Sequence, residues 1–189
     1  MTAKQMAQAE LVALQQIVDG VKDADTEALE KEIAQAKRIF VGGAGRSLLS
    51  MKGFAMRLMQ TGHETYLVGE VCTPSVQPGD LLIVGSGSGE TKVTLDVVNK
   101  AKGHGARVAV LTMHGNSPIA QACDCAVVLA GIPAVSSEDT EASIFAKKNL
   151  SGNFFEASVT LVLDGIIGSL MVQKGQTGEI IRYNHANLE

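Results

Sequence analysis

The segment Leu81-Leu82-Ile83-Val84-Gly85-Ser86-Gly87-Ser88-Gly89-Glu90-Thr91 changes character twice. Its first four residues form a short continuous apolar run, as a buried parallel strand requires. Glycine and serine then alternate, and a helical pattern begins at Glu90. A strand that ends in small residues and opens a helix makes an anion site. The free N–H groups of the first helical turn point at the ligand, and the helix dipole favours negative charge. Gly85, Gly87 and Gly89 allow close backbone approach and positive φ. Ser86, Ser88 and Thr91 carry hydroxyls able to donate to phosphate oxygens. The G-x-x-x-x-G-K-[ST] spacing of nucleotide loops is absent, and no lysine lies between Gly85 and Thr91, which suits a monophosphate better than a triphosphate. The competing reading is a flexible turn in which Ser88 or Thr91 caps the helix. One cap does not require three glycines and three hydroxyls.

Working outward, the same strand-then-helix alternation continues on both sides. Arg38–Val41, His63–Val68, Leu81–Gly85, Arg107–Thr112 and Cys125–Leu129 read as strands. Helices are expected from Leu48 to Gln60, from Glu90 to Lys102, and briefly from Ser117-Pro118-Ile119, with Pro at a first-turn position. This alternation predicts an α/β fold: a three-layer, doubly wound, five-stranded parallel sheet of order 2-1-3-4-5. The 189 residues fit a single domain. Within 1–189, residues 1–36 read as two N-terminal helices, 37–130 as the nucleus of the sheet, and 131–189 as C-terminal helices and a tail. The N-terminal pair, Thr2 to Val18 and a helix opening at Asp25-Thr26-Glu27, lies outside a minimal doubly wound unit and would cover a sheet face or make a subunit contact.

A second glycine loop, Gly42-Gly43-Ala44-Gly45-Arg46-Ser47, follows the first strand. In the predicted order the first and third strands are neighbours where the winding reverses, and ligands bind outside the carboxyl ends of the strands there. Both loops then face one ligand. Gly45 gives backbone access, Arg46 can pair with phosphate or polarise a sugar oxygen, and Ser47 can donate from its helix start. The rival reading of this loop is a dinucleotide fingerprint, G-x-G-x-x-L with Glu64 on the ribose. It lacks the third glycine, and no second domain remains to bring a substrate. Glu156 is the charge that stands out in the long apolar helix leading to about Gln173. It reads either as a base or as a first-turn carboxylate complementing the helix dipole. His63 and His104 read as surface or turn residues. His114, after the fourth strand, reads as a loop residue that could line the crevice.

Composition narrows the function classes. Hydrophobic residues make up 46% and aromatic residues 4%, with no Trp, which fits an aliphatic α/β core and not a base-stacking surface. The formal charge of −4 and the absence of a basic stripe argue against a nucleic-acid partner. No apolar run of membrane-spanning length is expected, and the N-terminus has no signal-peptide pattern; the expectation is a cytoplasmic protein without a membrane partner. Three cysteines, an odd number, argue against a disulfide framework. Cys123 and Cys125, alternating at the start of a strand, would share one face; buried core residues are the expectation and a metal pair the alternative.

Several motifs together resemble the SIS (sugar isomerase) domain family and, within it, the branch of hexulose-phosphate isomerases. They are Gly43-Ala44-Gly45-Arg46-Ser47, Met56-Arg57-Leu58, Val68-Gly69-Glu70 with Thr73-Pro74, Gly79 to Ile83, Ser86-Gly87-Ser88-Gly89-Glu90-Thr91, Phe155-Glu156 and the closing His185-Ala186-Asn187-Leu188-Glu189. The Ser/Gly motif marks the family broadly; the closing motif is the more specific. One departure is visible: Asn184 stands where the resemblance leads one to expect Arg. The resemblance implies interconversion of 3-hexulose 6-phosphate and fructose 6-phosphate through a cis-enediol, with no metal or organic cofactor. It also implies a homotetramer, at least a dimer, and a functional link to hexulose-6-phosphate synthase in formaldehyde assimilation. Catalysis would then fall to Glu156 as base and His185 as ring-opening acid/base. Substrate binding would fall to Gly45, Arg46, Ser47, Ser86, Gly87, Ser88, Gly89 and Thr91. The competing function is a sugar-phosphate sensor that binds without catalysis, or isomerisation of another phosphosugar.

Overall fold

The computed structural model describes residues 1–129 and 131–188, with the side chain of Ser151 left out. Its elements run α1 (Ala3–Asp19), α2 (Asp23–Gln35), β1 (Ile39–Gly43), α3 (Gly45–Gln60), β2 (Thr65–Leu67), β3 (Leu81–Gly85), α4 (Lys92–Gly103), β4 (Arg107–Thr112), α5 (Pro118–Ala122), β5 (Cys125–Val128), α6 (Glu141–Asn149), α7 (Ser151–Gln173) and α8 (Gly178–Tyr183). The strands form one parallel sheet in the order β2-β1-β3-β4-β5, as the alternation predicts.

Side-chain alternation along each strand assigns two cores. Ile39, Val41, Leu81, Ile83, Ala109, Leu111 and Val127 face a core shared with α1, α2, α3, α6 and α7. Phe40, Leu82, Val84, Val108 and Val110 face the opposite core, closed by α4 and α5. The central strands therefore read as unbroken apolar runs, because both of their faces are covered. Cys125 belongs to the first core and Cys123 packs against the second. Cys123 closes α5 instead of starting the strand, so the expected single-face pair does not form. Among the described residues no group of His, Cys, Asp and Glu is placed to hold a metal.

Two expectations need correction. A 22-residue stretch of α7, Gly152–Gln173, is long and apolar enough to span a membrane, with mean hydropathy 1.6. Phe154, Phe155, Val159, Leu163, Ile166 and Leu170 of this helix are instead buried in the first core, and α7 packs along α3. The polar tail from Arg182, expected to fray, begins inside α8, whose N-cap Thr177 accepts from Glu179 N.

Ion pairs tie the amino ends of the strands. Arg38 grips the buried Asp80 with Nε and Nη2, at 3.1 and 2.6 Å, and Asp80 also accepts from Gln77 N. Arg107 pairs with Glu32 and Asp124. The carboxyl ends, Gly43 beside Gly85, are left for the two glycine loops.

Candidate active site

The Ser86–Thr91 loop is strapped to the end of β4. Ser86 N donates to Leu111 O at 3.0 Å, Met113 N to Gly87 O at 3.1 Å, and Ile119 N to Gly89 O at 3.0 Å. Its glycines answer mainly to packing. A Cβ at Gly85 would come within 2.8 Å of Met51, and one at Gly87 within 3.1 Å of the Phe155 ring. Only Gly89 of the three takes a positive φ, +65°, and a Cβ there would run into Ser117 Oγ. The simple-cap reading does not hold for Thr91. It occupies the N-cap of α4 but makes no side-chain capping bond. Ser88 Oγ accepts from Glu90 N at 3.2 Å within the loop. Gly87 N and Ser88 N have no acceptor among the described residues. The loop therefore presents free N–H groups and the Ser88 and Thr91 hydroxyls at the positive end of a 12-residue helix.

The second loop is shorter than expected, because α3 begins at Gly45, with φ +57°, and not at Leu48. Arg46 and Ser47 thus lie in its first turn. Glu156 lies in the second turn of α7, not at its front, so complementing the dipole in the first turn does not explain it. Arg46 Nε donates to Glu156 Oε2 at 2.8 Å; the Arg46 side chain is 67% exposed and that of Glu156 only 15%. Glu156 Oε1 has no partner among the described residues. Ser50 Oγ donates to Glu156 O at 3.1 Å, and Thr160 Oγ1 to the same oxygen at 3.0 Å, which fixes the α7 backbone against α3.

These parts meet at an open cavity of about 500 Å³. Ser47, Gly87, Ser88, Thr91 and Glu156 line it. Gly45, Arg46, Ser86 and Gly89, also expected at the site, do not line it; Arg46 joins it only through Glu156, and the Ser86 hydroxyl lies 3.4 Å from Thr91 Oγ1. The sequence reading missed Met113, Gly131, Ile132, Gly152 and Phe155, which also line the cavity, and undervalued His114, which does so as well. Met113, His114, Gly131 and Ile132 follow β4 and β5, so the rule that ligands sit beyond the carboxyl ends of the strands was the signal for them. Glu90 is exposed and does not line the cavity.

His185 is elsewhere. It is exposed, its Nδ1 lies 3.0 Å from Ala186 O, and it lines a separate cavity of about 300 Å³ with Arg57, Gln60, Thr160 and Asp164. Glu156, Thr160 and Asp164 are spaced at i, i+4, i+8 on one stripe of α7. At 1.5 Å per residue, Asp164 lies about 12 Å along the helix from Glu156. The two candidate catalytic residues of one chain therefore stand at different stations of the α3–α7 groove.

A family model described as "SIS domain" matches residues 32–146, and the chain belongs to that family. It is 40% identical to a 3-hexulose-6-phosphate isomerase of Methylomonas aminofaciens, over 93% of this chain and 94% of that one. It is 38% identical to a 3-hexulose-6-phosphate isomerase of Bacillus subtilis, over 89% of each. Among solved structures it resembles a hypothetical protein of Methanococcus jannaschii whose crystal structure infers a molecular function of 3-hexulose-6-phosphate isomerase. That likeness has a TM-score of 0.78 and 28% identity and covers 98% of both chains. The family match ends before Glu156 and His185, whereas the two isomerases align over most of the chain.

Proposed function

We propose that the protein interconverts D-arabino-hex-3-ulose 6-phosphate and fructose 6-phosphate through a cis-enediol. The observation that carries this is the facing of a carboxylate and an anion-binding loop across one cavity. Ser47, Ser88, Thr91 and the free N–H groups of Gly87 and Ser88 hold the phosphate. Glu156 Oε1 removes the C2 proton, which the C3 carbonyl acidifies, and returns it at C3 on the same face of the enediol, while a proton passes from O2 to O3. Arg46 holds Oε2, which aims the other oxygen, and its positive charge offsets the developing enediolate. Fructose 6-phosphate is mostly a furanose closed through O5. His185 opens that ring by proton transfer through its imidazole.

The separation of His185 from Glu156 within one chain supports a site completed by the tail of a neighbouring copy. At least a dimer follows, and a homotetramer is the assembly we favour. Cytoplasmic action after hexulose-6-phosphate synthase, in formaldehyde assimilation, belongs to the same proposal. A buried-edge carboxylate beside the phosphate loop has no use in a sensor that only binds, and this favours the enzyme. The test is a coupled assay that supplies hexulose 6-phosphate and follows fructose 6-phosphate. Turnover that survives exhaustive EDTA treatment is the expected result. No turnover, or turnover that needs an added divalent metal, overturns the proposal.

A further inference from the structure

The tail that carries His185 has little holding it. Helix α8 buries none of its residues, and Tyr183 is 85% exposed. Its anchors are the last carbonyls of α3, the orphan acceptors that every helix leaves at its carboxyl end. Arg57 O, Leu58 O and Met59 O are satisfied locally, by Thr61 N, His63 N and Gly62 N. The next two are satisfied from far along the chain. Gln176 Nε2 donates to Thr61 O at 3.2 Å, and Asn184 Nδ2 donates to Gln60 O at 3.0 Å. Gln60 is buried, and Asn184 is half-buried between two exposed neighbours, Tyr183 and His185. The amide of Asn184 is the last side-chain bond from the tail to the body of the protein before His185 among the described residues.

From this we infer that Asn184 is a positioning residue: by capping α3 at Gln60 O it fixes where the His185 imidazole leaves the protein surface. The inference rests on the proposed role of His185 in ring opening. Asn184 touches no substrate. Its neutral amide gives one directed bond to a carbonyl, and a side chain without a donor at this position leaves Gln60 O unsatisfied and the tail free to swing. Misplacement of a catalytic group by about 1 Å can lower a rate by up to about a hundredfold.

Five proteins test it: wild type, Asn184→Ala, Asn184→Gln, His185→Ala and the Asn184→Ala/His185→Ala double variant, all carrying the whole sequence. Asn184→Ala should lower kcat from fructose 6-phosphate about tenfold, leave KM within about twofold, and affect the reaction from the 3-hexulose less. The double variant should be no slower than His185→Ala alone, because a residue that acts through His185 has nothing to act on once it is gone. Asn184→Gln, which keeps the donor, should recover part of the rate. Equal loss from both substrates, or a double variant slower by the product of the single losses, overturns the inference. A readout without substrate separates this from failure of the proposed reaction. In wild type the His185 ring should show one dispersed NMR signal set, and in Asn184→Ala it should collapse toward the averaged shifts of a free tail. Ring signals that do not differ between the two proteins overturn the inference even if the isomerase reading stands. Collapse in a protein that turns over no hexulose sustains the Asn184 anchor while the isomerase reading falls.

Discussion

Glu156 lines the cavity with one carboxylate oxygen on Arg46 and no partner on the other among the described residues, whereas Glu90 is exposed and does not line it. The contrast separates the two acids nearest the crevice. Glu156→Gln keeps the volume and removes the base. It should abolish solvent-deuterium exchange at C3 of fructose 6-phosphate, followed by NMR, while binding persists; Glu90→Gln should exchange near the wild-type rate. The opposite pattern would reverse the assignment. His63 shows what the sequence did not reveal at this scale. Read as a surface or turn residue, it is half-buried. Its Nδ1 lies 3.2 Å from Leu58 O and its Nε2 2.8 Å from Lys174 Nζ. Leu58 O can only accept, so Nδ1 carries the proton and Nε2 accepts from Lys174. Burial, then the Lys174 charge, push the His63 pKa below its ordinary value. The unfolded chain therefore binds the proton more readily. The stability contributed by neutral His63 is present above the ordinary pKa of about 6.5 and is lost as pH falls below it. Denaturant unfolding at pH 7.5 and 5.5 should show a drop for wild type and a smaller one for His63→Asn. Equal drops would remove His63 as the cause. The Lys174 contact joins residues far apart in sequence, and no local pattern announces it.

At the scale of elements, the Ser86–Thr91 loop is as much packed as it is poised. Ser88→Ala removes a hydroxyl that faces the cavity and should raise the Michaelis constant for fructose 6-phosphate, by an amount equivalent to roughly 1–3 kcal/mol of binding. Unchanged binding by a Ser86→Ala/Ser88→Ala protein would end the phosphate assignment. Gly87→Ala should act differently. The new methyl meets the Phe155 ring, and Phe155 adjoins Glu156, so kcat should fall more than the Michaelis constant rises. Gly89→Ala meets both a positive φ and Ser117, and should cost roughly 1–3 kcal/mol of stability from backbone strain alone; a thermal scan reads the loss, and an unchanged midpoint would contradict the loop geometry. β3 and β4 were legible to the residue, because central parallel strands are apolar on both faces and end at glycine or turn residues. β2 was overread, since an edge strand pairs on one side only and keeps three residues. Helix α8 was illegible for the reason that makes it interesting: it buries nothing, so it carries no apolar stripe to read. The glycines of the loop were noticed for ligand approach, but the Met51 and Phe155 contacts that require two of them depend on α3 and α7, beyond any local pattern.

At the scale of the whole molecule, the question is how Glu156 and His185 can serve one substrate. In one chain they line different cavities of the α3–α7 groove. If the tail of one copy enters the cleft of another, each complete site takes Glu156 from one chain and His185 from its neighbour. Subunits that are each defective can then complement. Glu156→Gln subunits still supply a working tail, and His185→Ala subunits still supply a working carboxylate. In hybrids formed by co-expressing equal amounts, a site draws its carboxylate from a His185→Ala chain half the time and its tail from a Glu156→Gln chain half the time. About a quarter of sites should therefore be intact. Activity from fructose 6-phosphate should approach about a quarter of wild type, well above either parent oligomer. A tail that serves its own chain predicts no intact site in any hybrid, so activity no higher than the average of the two parents would place both residues in one subunit. Dilution sharpens the result, because activity that depends on a neighbour's tail should fall at protein concentrations where light scattering shows dissociation, and should return on reconcentration.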